Sequence, residues 1–259
     1  MNTLIVVQAR MTSTRLPGKV MRPVLGKPLL AYLIERLQRV KSVNDIVVAM
    51  PADRRSRPMI DLCNALSTPF FLGSEEDVLG RFYGAACRYR GETIVRITAD
   101  CPLIDPDVID LTVGYFRDAH GQYDYVANWS YDASTHAAFH TFPLGMSVEI
   151  FTFKALAEAH QGAMSSQERE HVTPFLYTRP EQYSIGHIDQ VENMGHHRWT
   201  VDTPEDFELV RRIIEALYPS APDFRRQNVL NLLAQYPEWS MLNAHIPPPS
   251  LKRDNDPHS

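Results

Sequence analysis

The sequence LIVVQARMTSTRLPGK, at residues 4–19, joins a short run of β-branched residues to a loop rich in cations and hydroxyl groups. Leu4-Ile5-Val6-Val7 is apolar throughout and has polar neighbours on both sides, a pattern typical of a strand buried in a parallel sheet. The loop that follows contains Pro17-Gly18, which is a turn signal. Open parallel sheets bind ligands beyond the carboxyl ends of their strands. The sequence therefore predicts a ligand site in this loop.

The next hundred residues alternate between strand and helix patterns. We predict strands at Ile46–Ala49, Phe70–Leu72 and Ile94–Ile97, and helices at Leu29–Val40, Met59–Leu66, from about Ser74 to Tyr89, and from Asp105 as N-cap with Pro106 in the first turn. Parallel strands need crossover connections, which are usually helices. The alternation therefore predicts an α/β fold with a mostly parallel sheet flanked by helices.

The second half of the chain is more mixed. We predict strands at Tyr125–Ala127, Met146–Phe151, Tyr183–Ile188 and Arg198–Val201, and helices at Thr152–His160, Gln167–Tyr177, Thr203 to about Leu217, and Asp223–Gln235. No linker composition separates two halves, so we expect one domain over residues 1–244. The proline-rich, polar residues 245–259 predict a disordered tail.

Composition excludes several classes of protein. The 259 residues are 44% hydrophobic and 22% charged, which is ordinary for a globular chain and unlike a disordered or fibrous one. The net charge of −5 argues against non-specific nucleic-acid binding. No apolar run is long enough to span a membrane, and the amino terminus lacks signal-peptide features. Three scattered cysteines predict a reducing, cytoplasmic compartment.

Cations are concentrated at the start of the chain. Residues 1–34 contain no Asp or Glu, although the whole chain has 31 acidic and 26 basic residues. Within that stretch, residues 8–19 supply two guanidinium groups, one ammonium group and three hydroxyls. A triphosphate needs fixed positive charge and short donors. We therefore interpret the loop as a triphosphate site rather than a surface turn. It lacks the glycine spacing of a P-loop or of a dinucleotide fingerprint.

The same loop resembles the opening signature of a known family. Its residues Gln8-Ala9-Arg10-Met11, Ser13 and Arg15-Leu16-Pro17-Gly18-Lys19 are similar to those of the cytidylyltransferases that activate acidic sugars such as acylneuraminate and 3-deoxy-manno-octulosonate. This family has a branch of spore coat polysaccharide biosynthesis proteins. Further segments agree in order, at Gly73–Leu79, Arg96–Asp105, Glu168–Pro174 and Arg198–Asp206. The resemblance spans about residues 3–217. It implies a nucleotide-diphospho-sugar transferase-like (Rossmann-like) fold and a homodimer.

Two aspartates follow predicted strands. Asp100 comes after the strand at Ile94–Ile97, and Asp202 comes after Arg198–Val201, so both carboxylates can reach one cleft. One or two carboxylates together with substrate phosphates suit Mg²⁺. The resemblance implies that these two residues hold Mg²⁺, and the alternative for each is a helix cap or turn. For the Asp105-x-Asp107 pattern we favour capping over metal binding.

Other site residues rest on the loop chemistry and the resemblance. We expect nucleotide binding by Ala9, Arg10, Ser13, Thr14, Arg15, Lys19 and Arg81, and catalytic roles for Arg10, Lys19 and Asp100. Arg81 has the alternative of a charge on a helix surface. Glu149 and His171 fall where sugar-binding residues are expected. Their alternatives are a solvent-facing strand glutamate and a hydrogen-bonded structural histidine.

With the resemblance, the sequence predicts an Mg²⁺-dependent cytidylyltransferase. A hydroxyl of an acidic sugar, of the 2-keto-3-deoxy type, would attack the α-phosphate of CTP and release pyrophosphate. Three alternatives stay open. They are a sugar-1-phosphate nucleotidyltransferase using another nucleotide, a glycosyltransferase with Asp105 and Asp107 on its metal, and a non-catalytic nucleotide-sugar binding module. The expected partners are CTP and the acidic sugar, with no nucleic acid or membrane.

Overall fold

A computed structural model of the chain describes residues 2–247. Within these residues the strands are β1 (Thr3–Gln8), β2 (Pro23–Val24), β3 (Lys27–Pro28), β4 (Asp45–Pro51), β5 (Phe70–Gly73), β6 (Thr93–Thr98), β7 (Tyr125–Ala127), β8 (Ser130–Asp132), β9 (Ala137–Phe139), β10 (Glu149–Thr152) and β11 (Ile185–His187). Seven of them form one sheet in the order β11-β7-β10-β6-β1-β4-β5. Only β10 of this sheet is antiparallel to its neighbours. The predicted α/β class with a mostly parallel sheet is confirmed.

Helices cover both faces of the sheet. In the described part of the chain they are α1 (Leu29–Leu37), α2 (Arg57–Ala65), α3 (Val78–Tyr89), α4 (Pro106–Asp118), α5 (Phe153–Gly162), α6 (Ser166–His171), α7 (Pro174–Tyr177), α8 (Pro204–Leu217), α9 (Arg226–Gln235) and α10 (Pro237–Ser240). Alternate side chains of β1 enter two separate apolar clusters: Ile5 packs with α1, α4 and α8, whereas Leu4 packs with α3 and α5. None of the helices in residues 2–247 is long and apolar enough to cross a membrane.

The register of the central strands places two loops side by side. β1 and β6 pair in parallel, with Gln8 opposite Thr98 at their carboxyl ends. Ala9 N continues the ladder by donating to Ala49 O of β4 (3.1 Å), and Ala99 N donates to Gln8 O (2.9 Å). The loop at residues 8–19, called the cationic loop below, and Asp100 therefore follow strands that end at the same edge of the sheet.

Helix α3 begins later than predicted. It starts at Val78, with Asp77 as the N-cap accepting from Gly80 N at 2.8 Å, and not near Ser74. The intervening residues form a loop because the Arg81 guanidinium donates to the backbone carbonyls of Ser74 and Glu75. These carbonyls are thereby held by a side chain from the helix rather than by helical backbone donors.

Two further predicted elements were wrong. Arg198–Val201 is not a strand: its one bridge, to Leu144, lies outside the named strands, and it hydrogen-bonds to loops on either side. A Cβ on Gly145, whose φ is +101°, would lie 2.6 Å from Thr200 N, so glycine permits this close approach. The predicted helix Gln167–Tyr177 breaks at Val172, where φ is +72°. There, Thr173 N donates to His171 O at 2.9 Å and closes a γ-turn.

The remaining differences concern element ends and short hairpins. The predicted strand Met146–Phe151 starts only at Glu149, and the last amphipathic stretch becomes helical at Arg226 rather than Asp223. The sequence pattern missed the hairpins β2–β3 and β8–β9. Most of the predicted tail, residues 248–259, lies outside the described residues.

Asp105 links two helices, which confirms its predicted role as a cap. Its Oδ1 accepts from Asp107 N at 3.0 Å in the first turn of α4, and its Oδ2 accepts from Arg226 N at 2.6 Å at the start of α9. The side chain is buried, whereas the Asp107 carboxylate is mostly exposed and lies 3.4 Å from Arg225. Asp105 thus has both oxygens occupied by backbone donors, which leaves the metal-binding alternative without support.

We expect Asp105→Ala to lower the free energy of unfolding by about 2 kcal/mol, because it removes a helix cap and leaves a buried N–H without an acceptor. Asp107→Ala is the matched control and should change it by less than about 0.5 kcal/mol, since its ion pair is exposed. Urea unfolding measures both. Equal losses in the two variants would contradict this role of Asp105.

Candidate functional site

The cationic loop folds back on itself before Lys19. Gly18 N donates to Met11 O at 2.9 Å, and Gly18 has a φ of +66°, in the left-handed region that favours glycine. Lys19 then opens a short 3₁₀ turn, Lys19–Met21, in which Val20 is buried. The loop therefore presents the Lys19 side chain at a fixed position beyond the end of β1.

Lys19 lies between the two predicted metal-binding aspartates. Its Nζ is 2.8 Å from Asp100 Oδ2 and 2.7 Å from Asp202 Oδ1, and the ammonium side chain is only 12% exposed. Burial opposes the charge on Lys19, but the two carboxylates outweigh it and raise its pKa above 10.5. Burial likewise opposes the charge on Asp100, and Lys19 holds its pKa below 3.8. Lys19 and Asp100 are therefore both charged at neutral pH.

Backbone hydrogen bonds bring the two aspartates together. Val201 N donates to Asp100 O at 2.8 Å, although the two residues are about a hundred positions apart in sequence. On the other side of this segment, Trp199 N donates to Leu144 O at 2.7 Å. The chain before Asp202 is thus held in place by loop contacts, without being a strand of the sheet.

A buried ion-pair network supports Asp202. Arg198 Nη2 lies 2.9 Å from Asp202 Oδ2, and the same guanidinium binds Asp206 through Nε at 2.9 Å. The Asp206 side chain has no exposed surface, and its Oδ2 accepts from Asp202 N at 2.9 Å. Asp206 also completes a capping box with Thr203 at the start of α8. Asp202 is therefore held through both its side chain and its backbone.

The other cations of the loop lie in different surroundings. Arg15 joins the Lys19 cluster from the outside, with Nη2 3.3 Å from Asp202 Oδ2 and over half of its side chain exposed. Arg10 instead pairs with Glu170 of α6 at 3.0 Å, and both side chains are substantially exposed. The structure brings Lys19 and Arg15 to the aspartates and directs Arg10 towards α6.

The small residues of the cationic loop differ in which hydrogen-bonding groups remain available to a nucleotide. Ala9 is buried and its N–H is already bonded to Ala49, so that donor is not available to a phosphate. Ser13 Oγ accepts from Leu16 N at 3.3 Å, within the turn. Thr14 is exposed. Their roles as nucleotide ligands stay predictions.

Arg81 is buried, so the alternative of a helix-surface charge is wrong. Its Nη1 holds the loop before α3, while its Nε and Nη2 are buried and have no protein partner. Burial, and secondarily the nearby Arg10 charge, lower the pKa of Arg81 to about 10. The loop that it holds reaches the cationic loop, because Thr12 Oγ1 donates to Glu75 Oε1 at 2.5 Å. Arg81 thus borders the cationic loop with two unused donors.

Glu149 is a buried hub, which makes the alternative of a solvent-facing glutamate wrong. Its Oε1 accepts from Tyr125 OH and Thr173 Oγ1, both at 2.6 Å, and its Oε2 pairs with Arg96. Burial and the Glu149 charge raise the pKa of Tyr125 well above 10. Glu149 therefore fixes Arg96, whose Nη2 donates to Gln8 Oε1 at 3.1 Å at the end of β1.

His171 is exposed at the end of α6, next to the γ-turn. Desolvation by surrounding protein, and then the positive charge of Arg96, lower its pKa below 6.5. The charge of Arg10 acts in the same direction. Arg10, Arg96 and His171 therefore lie close enough to share one electrostatic environment, on the side of the cationic loop where α6 lies.

The donor set at Lys19 fits Mg²⁺. Among residues 2–247, no three His, Cys, Asp or Glu side chains cluster as a metal site. However, Asp100 and Asp202 already share one cation, the Lys19 ammonium, so their oxygens can face a single positive ion. Mg²⁺ is commonly held by one or two carboxylates, with substrate phosphates and waters completing its coordination.

Comparison with known proteins identifies the family. A family model described as cytidylyltransferase matches residues 4–233. The chain belongs to the cytidylyltransferase family. Spore coat polysaccharide biosynthesis protein SpsF of Bacillus subtilis is 30% identical over 91% of this chain and 95% of its own length. The solved structure of a cytidylyltransferase from Leptospira borgpetersenii is 29% identical, with a TM-score of 0.84, and covers 92% of this chain and 96% of that one.

A more distant neighbour shares the fold. A CMP:2-keto-3-deoxy-manno-octonic acid synthetase, solved in complex with CTP, superposes with a TM-score of 0.64 at 16% identity over 83% of this chain and 99% of that chain. The nucleotide-sugar transferase fold expected from the resemblance is thus confirmed. The match to the family model confirms the assignment of the chain as a cytidylyltransferase enzyme.

Sequence reasoning missed several residues around the site of this cytidylyltransferase. Arg198 and Asp206 lie four positions before and after Asp202, so their spacing was a usable signal for a local ion-pair network. Arg96 and Glu170 belong to the segments that carried the resemblance but were given no role. Asn243, which donates to Asp206 Oδ1 at 2.8 Å, had no sequence signal.

We expect Lys19→Met to lower the free energy of unfolding by about 3 kcal/mol at pH 7, because it leaves two largely buried carboxylates without their shared cation. Lys19 depresses the folded-state pKa of Asp100, so its stabilisation is present above the unfolded pKa and lost as the pH falls. The difference between wild type and variant should therefore shrink below about pH 5.

Urea unfolding at several pH values measures this difference. Arg15→Met is the matched control, because its largely exposed side chain should contribute less than about 0.5 kcal/mol. A Lys19→Met effect of the same size at pH 3 and pH 7 would contradict the electrostatic coupling.

Proposed function

We propose that this cytidylyltransferase transfers CMP from CTP to a hydroxyl of an acidic sugar, with release of pyrophosphate and with Mg²⁺ as cofactor. The observation that carries the proposal is the position of Lys19 Nζ, which two carboxylates hold at 2.8 and 2.7 Å on the edge where β1 and β6 end. Such a site has paired positive and negative charge at the place where open α/β sheets bind their ligands.

The charges at this site are balanced before substrate binds. Lys19, Arg15 and Arg198 face Asp100, Asp202 and Asp206, with three charges of each sign. A triphosphate adds negative charge, and a divalent cation on the two aspartates adds positive charge. We expect Lys19 to leave the carboxylates for the phosphates when both bind, since its flexible stem allows its ammonium to reorient.

Asp100 and Asp202 would hold the Mg²⁺. When bound, the ion neutralises phosphate charge and polarises the α-phosphate. The protein's own residues provide the remaining electrostatic stabilisation. Lys19 and Arg15 supply charge beside the aspartates, and Arg10 supplies charge from the α6 side once Glu170 releases it.

Two guanidinium groups lie on the α6 side of the loop, Arg96 paired with Glu149 and Arg10 paired with Glu170, and they support an acidic sugar as the acceptor. Glu149 holds Arg96 of β6, which donates to Gln8 at the end of β1, and His171 and Arg10 lie in the same electrostatic environment. A sugar carboxylate would be stabilised there. We propose that His171 contacts the acceptor, and that Glu149 contributes by orienting Arg96 and Thr173 rather than through a free carboxylate oxygen.

The proposed reaction is a single displacement at phosphorus. The acceptor oxygen forms a bond to the α-phosphorus of CTP as the bond from that phosphorus to the oxygen bridging the α- and β-phosphates breaks. The bond electrons leave with pyrophosphate, and the acceptor hydroxyl proton passes to solvent. Positioning and charge stabilisation therefore account for the rate, and no covalent intermediate with the protein is needed.

A pyrophosphate-release assay with CTP, UTP, GTP and dTTP against a panel of 2-keto-3-deoxy acids and neutral sugar 1-phosphates tests the proposal. We expect release with CTP and an acid only, and loss of that release when EDTA is present. Release with a sugar 1-phosphate and another nucleotide would instead favour a sugar-1-phosphate nucleotidyltransferase. Tight CTP binding without release would favour a binding module.

Variants test the residue roles in the same assay. Lys19→Ala should lower kcat by at least about 100-fold, in line with the loss of one preorganised charge from a transition state. Asp100→Asn should lower kcat and raise the Mg²⁺ concentration needed for half-maximal rate. Arg22→Ala, which removes a cation just outside the cationic loop, is the control. Wild-type Mg²⁺ dependence in Asp100→Asn would contradict the metal assignment.

A further inference from the structure

Asn243 connects the carboxyl-terminal part of the chain to the site. It lies after residue 233, where the match to the family model ends, and it is only 2% exposed. Its amide nitrogen Nδ2 donates to Arg198 O at 2.9 Å and to Asp206 Oδ1 at 2.8 Å. Both partners are acceptors, so the amide must direct its NH₂ group, and not its oxygen, towards them.

The two acceptors of Asn243 are the residues that hold Asp202. Asp206 receives the Arg198 guanidinium and also accepts from the backbone N–H of Asp202. Arg198 in turn binds Asp202 Oδ2 at 2.9 Å. A continuous set of hydrogen bonds therefore runs from Asn243 through Asp206 and Arg198 to Asp202, and from there to Lys19.

The segment that carries Asn243 is itself fixed. The rings of Tyr236 and Trp239 stack with centroids 4.8 Å apart, and the Arg212 guanidinium of α8 lies over the Trp239 ring at 5.7 Å. Ile246 N donates to Asn243 O at 3.0 Å and closes a turn around the residue. The turn that carries Asn243 is thus packed against α8, and this packing fixes the position of Asn243 beside Asp206.

We propose that Asn243 is a positioning residue for the catalytic centre, which orients Asp202 through Asp206 and Arg198. It satisfies one Asp206 oxygen and fixes the Arg198 backbone, so that the guanidinium meets both aspartates at hydrogen-bond distance. The inference rests on the proposed function, because it assigns to Asp202 the task of holding the divalent cation. It places part of the active-site support in the segment after α9, outside the region matched by the family model.

The test is the coupling between Mg²⁺ and CTP. Calorimetry gives the Kd of CTP for the full-length protein in EDTA and in saturating Mg²⁺. The Kd in EDTA divided by the Kd in Mg²⁺ reports how well the aspartates hold the ion. Asn243→Asp keeps the size of the side chain but places an oxygen against two acceptors. We expect it to lower this ratio about tenfold, the effect of one lost charge-assisted hydrogen bond, with the Kd in EDTA changing less than about twofold.

Asn243→Ala should give a similar loss, and Asn243→Ser, which keeps one donor, should give a smaller one. Met241→Ala is the matched control, because that side chain is 69% exposed in the same segment. Thermal unfolding checks that each variant is folded, and Asn243→Ser decides the test if the other two are not.

A wild-type ratio in the folded Asn243 variants would overturn the inference and leave the proposed function intact. Absence of any Mg²⁺-dependent gain in the wild-type protein would overturn the proposed function, and the inference with it. A purely structural Asn243 would lower the melting temperature without changing the ratio.

Discussion

One ammonium group shared by two carboxylates organises the edge of the sheet where β1 and β6 end. Lys19 comes from the loop after β1, Asp100 from the end of β6, and Asp202 from a segment held between two loops. Each carboxylate would be costly to bury alone. Their convergence requires the sheet register, the backbone bond from Val201 to Asp100 and the guanidinium of Arg198 together.

The positions of Lys19 and Asp100 follow from the predicted pairing of parallel strands. The run Leu4–Val7 predicts β1, and parallel pairing then places the residues after β1 and β6 next to each other, so Lys19 and Asp100 could be expected to meet. Asp202 reaches them although the strand predicted before it does not exist. Its position depends on hydrogen bonds to loop backbone, and no periodicity of side chains reports such contacts.

The contacts that sequence reasoning missed are long-range pairings of polar groups. Arg10 and Glu170 are 160 positions apart, and Asn243 meets Asp206 from a turn after the last long helix. The sequence around Glu149 has the pattern of a strand. The burial of Glu149 depends on Tyr125 and Thr173, which belong to other parts of the chain. The γ-turn at Val172 is equally invisible, because a β-branched residue rarely adopts positive φ and does so here inside buried packing.

A crystal structure with Mn²⁺ and a non-hydrolysable CTP analogue tests the central claim most directly, because Mn²⁺ is visible by anomalous scattering. An anomalous peak in contact with both Asp100 and Asp202, with Lys19 Nζ moved from these carboxylates to a phosphate oxygen, is the result expected. An analogue bound while Lys19 still bridges the two aspartates, with Mn²⁺ elsewhere, would contradict the assignment of this edge as the catalytic centre.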